Sequence, residues 1–561
     1  MNSSFNTRLT NRNQKQGNVA SYFENLRNLV QINDGTRSFI TKTTDCHDQP
    51  APLPAEEWTY VDITNEGHDI SQITDGFETY KVEAMIKVVG LNSASFNDTN
   101  HLFKLNIGFK SSNQLVDDQF IYCNNIDTGY HNQECVREGM AYSAIKPLQE
   151  KKTKKYIHTL YENVENYSES IAGAYINCAD FKDGLAHPVE WEMNVPFEDY
   201  LPLQAFDLFP NSICGNLKFH RKHTPKGLVW APVNPLKVKD SKELYEGELI
   251  NMILPANIAA LYKHGFTQIG NSAQAISAIT ITAGANEGDP STLAATSGSI
   301  QVICDGLRII SEKSTMYGFN VHPASKEYIK SLFAEPMIMP SQQISFHTFP
   351  HAANDGGIDS TLTIPVSNAT CMSIVFPKYS NEYTVLENPM YQNLQLTVNS
   401  DTYPNQPVST LGARFLQQQL IASDLSGGLE ATKEFEDSMT MPRNQPNGTR
   451  YLNTLRDATC FMWNVQVERN NAGYTFDGVQ SGSGSIPIQL RGIPIYNGTN
   501  DTYYNVKQSG GTWIHPPPPQ LWMCRDTYFT LYVGGMKYHK TGTPPGYSLI
   551  DDEKRKADPQ L

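Results

Sequence analysis

Few places in this 561-residue chain gather side chains that could do chemistry. Asp45-Cys46-His47-Asp48 packs four metal-ligand types into four consecutive positions. Adjacent residues rarely converge on one ion, and structural zinc uses pairs spaced by two to four, so the run reads as an exposed loop leading into Pro50 and Pro52. His347 and His351 would share a helix face, but Pro350 and the strand-like Ile344-Ser345-Phe346 put them on a strand or turn. The segment that follows, Asn354 to Asp359, resembles a hairpin loop more than a calcium site, which needs regularly alternating oxygens and a closing acid. Lys151-Lys152-Thr153-Lys154-Lys155 is the sharpest basic cluster, and such clusters are more often solvated loops than contacts to acidic partners. The hydrolase elbow, the phosphate-binding loop and the zinc-protease helix motif are all missing. Carboxylates abound, but spacing alone sets no pair at a catalytic separation. The expectation is a chain with no catalytic, cofactor-binding or metal-binding residues, and not an enzyme.

The elements that would position any site are mostly strands. Tyr80, Val82, Ala84, Ile86 and Val88 alternate with Lys81, Glu83 and Lys87, the period of two that marks a half-buried strand over Phe77–Val89. Leu102–Phe109, Trp191–Phe197, Asn216–His220, Ile276–Thr282 and Ile300–Ile310 continue in that style, after a turn and strand at Asp34–Thr41. Ser325–Phe333 has helical period, and Pro323 suits its start. Strands resume at Gln343–Phe349, Ser360–Pro365, Met372–Phe376 and Leu394–Val398. A helix is expected over Gln406–Ala422 from Leu411, Phe415, Leu416 and Leu420. Phe461–Val467, Ser485–Leu490 and Thr527–Val533 close the series, separated by long polar loops at Asp424–Arg450 and Tyr496–Gly511. His515 and the four prolines after it form a stiff connector. Many short strands without a short repeat favour sandwiches or jelly rolls, and the layout of strands, polar excursion and strands occurs twice.

Net charge is −14, and only 18% of residues are charged. A nucleic-acid binder of the ordinary kind carries a basic footprint, so sequence-specific nucleic-acid binding is not expected. The nine cysteines are scattered and never spaced C-x-x-C, which reads as reduced, mostly buried thiols. No secretory signal is visible in the polar N-terminus. Leu249–Tyr262, the most apolar long stretch, is broken by Asn251, Pro255 and Asn257 and falls short of the ~20 apolar residues of a membrane span. Seven N-x-S/T sequons read as chance in an Asn-rich chain. Before Glu24 the only charges are Arg8, Arg12 and Lys15, on an arm that either orders against a neighbour or acidic interior or is simply a disordered end.

Two stretches carry a family likeness. The first runs from Trp191 through Val195-Pro196-Phe197 and Tyr200-Leu201-Pro202-Leu203 to Phe206 and Phe209-Pro210. The second joins Ile374-Val375-Phe376-Pro377 to Glu387-Asn388-Pro389-Met390-Tyr391, then Leu394–Val398, Tyr403-Pro404 and Thr410–Phe415. Their order resembles the double jelly-roll major capsid proteins of Polintons, Polinton-like viruses, adintoviruses and virophages, in the wider lineage of adenovirus hexon. Motif likeness covers about residues 190–425, and the doubled layout extends it across about 35–545.

The resemblance implies an all-β fold of two jelly-roll barrels side by side, assembled as a pseudo-hexameric homotrimer. The expected division is an arm over 1–34, a first jelly roll over 35–324, a connecting helix over 325–336, a second jelly roll over 337–545 and a tail over 546–561. Pro196, Pro202 and Pro210 would end strands, Asn388-Pro389 would force a turn, and Trp191, Pro404 and Phe415 would pack. Thr410 would cap the helix carrying Phe415. The implied function is a structural capsomer subunit of an icosahedral double-stranded DNA virus shell. It would be made in the host cytosol or nucleus and meet neighbouring capsomers, penton and minor capsid proteins. Arg8, Arg12 and Lys15 would make weak contact with the capsid interior, and the long loops would form towers or subunit contacts. A carbohydrate-binding or carbohydrate-active jelly roll is the alternative, since aromatics and Asn/Asp-rich loops also suit sugars.

Overall fold

The structure, a computed structural model, describes residues 37–45, 53–62, 72–90, 101–102, 104–109, 111–145, 172–177, 183–197, 200, 209–233, 238–240, 243–244, 267–270, 273–281, 293–321, 327, 330–331, 336–352, 357–377, 391–408, 413, 440–441, 451–452, 462–466, 479–481, 484–494, 507–509, 512–514 and 517–541.

Eight strands build the first unit: β1 (Arg37–Asp45), β2 (Trp58–Asp62), β3 (Gln72–Val89), β4 (Val116–Cys123), β5 (Ile126–Asn132), β6 (Ala186–Pro196), β7 (Leu217–His223) and β8 (Leu293–Val321). Their pairings are all antiparallel and give two sheets, ordered β1-β8-β3-β6 and β2-β7-β4-β5. Eight more build the second unit: β9 (Met337–Thr348), β10 (Ile358–Ile364), β11 (Ala369–Val375), β12 (Tyr391–Val398), β13 (Asp401–Val408), β14 (Met462–Gln466), β15 (Ile486–Pro494) and β16 (Gln520–Tyr532). Here the orders are β9-β16-β11-β14 and β10-β15-β12-β13. Adding eight to every label of the first unit reproduces the second. Two opposed four-stranded sheets in this order form a jelly roll, so the chain folds as two jelly rolls of identical topology.

Strand β8 joins the first unit together. It pairs with Gln274–Ile281 at its start, with β3 along most of its length and with β1 at its end. Sequence alternation located only its middle, Ile300–Ile310, because register shifts at Cys304/Gly306, Ile309/Ser311 and Tyr317/Gly318 interrupt the period of two. The connections out of the first barrel add a small sheet of Thr267–Gln268, Leu228–Val233, Lys104–Phe109 and Ala172–Asn177, in that order. Inward residues of β3, β6 and β7, including Tyr80, Val82, Trp191, Met193 and Phe219, fill the first core. Met372, Ile374, Leu394, Leu396, Ile488 and Leu490 fill the second.

Several expectations are corrected. Gln406–Val408, read as the start of a helix, completes β13, an edge strand where Pro404 and Pro407 withdraw no ladder donor from a second neighbour. Beyond it Ala413 is helical, and the rest of that expected helix lies outside the described residues. The segment before Asp359 is not a hairpin loop, because β9 and β10 lie in different sheets. The expected loop Tyr496–Gly511 contains Lys507–Ser509, paired with Thr512–Ile514, and within Asp424–Arg450 Thr440–Met441 pairs with Tyr451–Leu452. An unexpected helix, α1 (Cys135–Ile145), follows β5, and a short helix α2 (Asn211–Cys214) follows β6.

Candidate functional site

The two barrels meet edge to face. The first contributes β5, α1 and α2; the second contributes β9 and β16, with β17 (Gly535–His539) folded back on β16. Met339, Phe529, Leu531, Met536 and Tyr538 belong to the same buried cluster as the first barrel's core. Tyr130 of β5 anchors the contact, its ring 5.0 Å from Tyr538 and 6.4 Å from Phe529. Hydrogen bonds tie the rim, with the Gly534 backbone N donating to Ile213 O at 2.7 Å and the Asn124 side-chain Nδ2 donating to Gly534 O at 3.4 Å. Such a fused apolar core resembles an obligate interface more than a hinge between independent domains.

Glu138 of α1 is buried in this junction and accepts a hydrogen bond from Asn132 Nδ2. Burial pushes its carboxyl up to about 8, against the pull of Asn132, Arg525 and the Ile344 backbone. Arg525 donates to Gln343 Oε1 at 2.7 Å and is itself pushed down by burial. Beside them a cleft of about 440 Å³ opens between the barrels, with Val136, Phe346 and Trp522 among its walls. Its charges are matched pairwise: Lys226 Nζ lies 2.6 Å from Asp117, and Arg137 lies 3.3 Å from Glu134. The cleft therefore offers no concentrated charge to a ligand.

A second polar centre lies inside the first barrel. Arg221, fully buried, donates from Nη1 to both oxygens of Glu78 at 2.9 and 2.8 Å and to Tyr80 OH at 2.8 Å, and from Nε to Gln119 at 2.8 Å. Glu312 of β8 lies 3.6 Å from the same Nη1, and Tyr200 and Tyr80 donate to Glu78. The guanidinium also stacks over Phe219 at 4.1 Å and Tyr200 at 4.7 Å. Burial raises Glu78 from its ordinary value while Arg221 opposes it. This ion set bolts β3, β7 and β8 together across the two sheets. A signal for it exists: Glu78 shares strand parity with Tyr80 and Val82, and Arg221 with Leu217 and Phe219, so both charges sit at inward positions.

Burial pushes Cys123 up to about 12 and Cys304 to about 11, and raises Cys135 and Cys214 as well. His347 lies on β9, where burial and Arg525 hold it below its ordinary value. Among the described residues no three His, Cys, Asp or Glu side chains are grouped to hold a metal ion, and no helix is long and apolar enough to cross a membrane.

Of the residues singled out by resemblance, Trp191 is buried on β6 with its ring 6.3 Å from Phe109, and Pro196 is the last residue of that strand. Pro210 precedes α2 directly after Phe209, which bridges to Ile73. Pro404 lies on β13 after a cis bond. These four are spread over both units and form no single site. Pro202, Asn388, Pro389, Phe415, Arg8, Arg12 and Lys15 lie outside the described residues, as do Lys151–Lys155 and Cys46-His47-Asp48.

The fold and junction define a double jelly-roll protein with a heterologous barrel-to-barrel contact. No family model matches the sequence, and no curated protein matches it. Among solved structures, a chain from the Sputnik virophage is similar over 91% of this chain and 94% of its own, at 9% identity and a TM-score of 0.47. The mavirus major capsid protein is similar over 92% of each chain, at 9% identity and 0.44. The Faustovirus major capsid protein is similar over 89% and 91%, at 6% identity and 0.41.

Proposed function

We propose that this chain is a major capsid protein, a structural subunit forming homotrimeric, pseudo-hexagonal capsomers of an icosahedral double-stranded DNA virus shell. The observation that carries the reading is the repetition of one eight-strand topology together with an edge-to-face junction between the copies. Every barrel has both an edge and a sheet face, yet among the described residues only the first barrel's edge and the second barrel's face are used. Among those residues nothing covers the outward face of β1-β8-β3-β6 or the β13 edge. A second chain docked in the same manner fills both, and head-to-tail contacts that close generate a ring. Three chains supply six barrels.

The leftover face is polar, as a surface first exposed and then covered should be. Lys81 pairs with Glu190 at 3.1 Å and Arg308 with Glu83. The motif likeness over residues 190–425 supports the same family. In this reading the barrels correspond to 35–324 and 337–545 with 325–336 between them, Arg8, Arg12 and Lys15 face the interior, and penton and minor proteins are further partners. The protein acts in the virion by assembly, without catalysis.

Light scattering with negative-stain imaging tests the proposal. The expected species is a hexagonal-outlined particle of about 188 kDa, three times the 62.8 kDa chain. A stable monomer at micromolar concentration would sink it.

A further inference from the structure

The sheet β2-β7-β4-β5 turns a different kind of surface outward. Its strand registers align Tyr60, His220, Phe120 and His131 in one row across all four strands. The rings form a ladder: Tyr60 stacks on His220 at 4.2 Å and 10°, His220 lies 6.0 Å from Phe120, and Phe120 stacks on His131 at 4.0 Å and 5°. Trp58 extends it, 4.6 Å from His220 and 5.5 Å from Phe120. Trp58 and Tyr60 are 39% and 47% exposed, the two aromatic rings among the exposed large apolar side chains described. Aromatic rings on an open sheet face are costly to leave in water and are enriched in interface cores.

The ladder belongs to neither surface that the ring described above would use. From this geometry, and resting on the capsomer reading, we propose that the ladder docks a second copy of this chain from a neighbouring ring, face to face with the same sheet. Charge selects that partner. The chain carries −14, so two copies repel over most of their surfaces. On this face the registers set Lys218 and Lys222 among Asp62, Asp118 and Asp127, a net of −1 against −14 for the chain, and Asp118 already lies 2.8 Å from His131. Two acidic copies can approach here with little net repulsion, and a nearly balanced patch can meet itself across a two-fold axis. Area sets the strength. Four strands about 4.8 Å apart and five residues of about 3.3 Å make a face of roughly 300 Å², well under the ~800 Å² per partner of a stable complex. A single contact is therefore weak, and it holds only where rings meet through several copies at once.

The test compares the full-length wild type with Trp58→Ala/Tyr60→Ala and with Lys218→Glu/Lys222→Glu, using sedimentation velocity over a concentration series and circular dichroism to check the fold. The charge-reversal pair alters half-exposed lysines only, so it reports even where the aromatic pair unfolds. The expected result is intact trimers in both variants, with assembly beyond the trimer requiring about tenfold or more protein, as loss of one or two central aromatic anchors predicts. Variants that assemble beyond the trimer at the wild-type concentration, or that lose the trimer itself while remaining folded, overturn the ladder's role. A wild type that stays monomeric throughout overturns the capsomer reading and the ladder with it, and the two failures are told apart by the wild-type trace.

Discussion

Replacing Arg221 by Met removes a guanidinium that holds four hydrogen bonds, to Glu78 Oε1 and Oε2, Tyr80 and Gln119, while keeping a side chain of similar length. Glu78 and Glu312 remain, both wholly buried. Deleting one partner of a buried ion set costs about 3–5 kcal/mol, because the orphaned charge stays inside. The cost has a ceiling, since Glu78 can escape by taking up a proton. From its ordinary 4.5, protonation at pH 7 costs about 3.4 kcal/mol, and at pH 5 about 0.7. The sign follows from the causes. Burial and Glu312 raise Glu78, and Arg221 and the Tyr200 hydrogen bond lower it, so in the variant the raising influences are opposed by Tyr200 alone. A carboxyl raised in the folded state contributes stability that is fully present below pH 4.5 and lost as pH rises. Urea unfolding at pH 5, 6 and 7, with wild type alongside, should show a deficit of about 3 kcal/mol at pH 7 that shrinks by about 1.4 kcal/mol per pH unit on acidification. An equal deficit at pH 5 and 7, or one below about 1 kcal/mol at pH 7, refutes the buried-charge account.

Glu138, raised to about 8 at the barrel junction, contributes stability that is present below pH 4.5 and lost as pH climbs to 8. Glu138→Gln should therefore gain a few kcal/mol on wild type at pH 8 and little at pH 5; thermal melts at both values decide, and a parallel pH response in the two proteins contradicts it. Gly90 turns the chain out of β3 with φ +102°, and a Cβ there would meet Ser299 O at 2.4 Å. Gly90→Ala should cost about 2–3 kcal/mol, read by denaturant midpoint, and a neutral result would mean the backbone can shift away. Tyr130→Ala should cost about 3 kcal/mol and open the junction, so that limited proteolysis cuts between residues 321 and 337 faster than in wild type; unchanged cleavage would show that the apolar contact does not hold the barrels together.

Much of the fold was legible where polar and apolar residues alternate cleanly. Tyr80 to Val88 announce β3, and Leu394, Leu396 and Val398 announce β12. Strand β4 escaped because polarity is inverted at three of its positions: Gln119 points inward to Arg221 among buried Val116, Ile121 and Cys123, while Phe120 and Tyr122 point outward into the ladder. The same inversion hid the candidate surfaces. A buried Glu–Arg set and an exposed aromatic row both break the rule that reveals strands, and they break it where the molecule has work for those side chains. Helix α1 was missed because Arg137, Glu138, Gly139 and Ser143 interrupt any apolar stripe; it packs on Ser112–Leu115 and β4 of its own barrel. The start of the Gln406–Ala422 helix was misplaced because Asp401–Val408, with two prolines, looks like a break when it is in fact an edge strand.

The 29-residue β8 also dictates a timetable. Strand β3 leaves the ribosome about 230 residues before the strand that pairs along its length. At roughly 5–20 residues per second, its inner edge stands open for about 10–50 s in every nascent chain, and the first barrel cannot close before residue 321 exists. Polysomes making this protein in quantity hold many such open edges close together. Its yield should therefore depend on how well chaperones cover a half-made sheet, more than on the stability of the finished barrel.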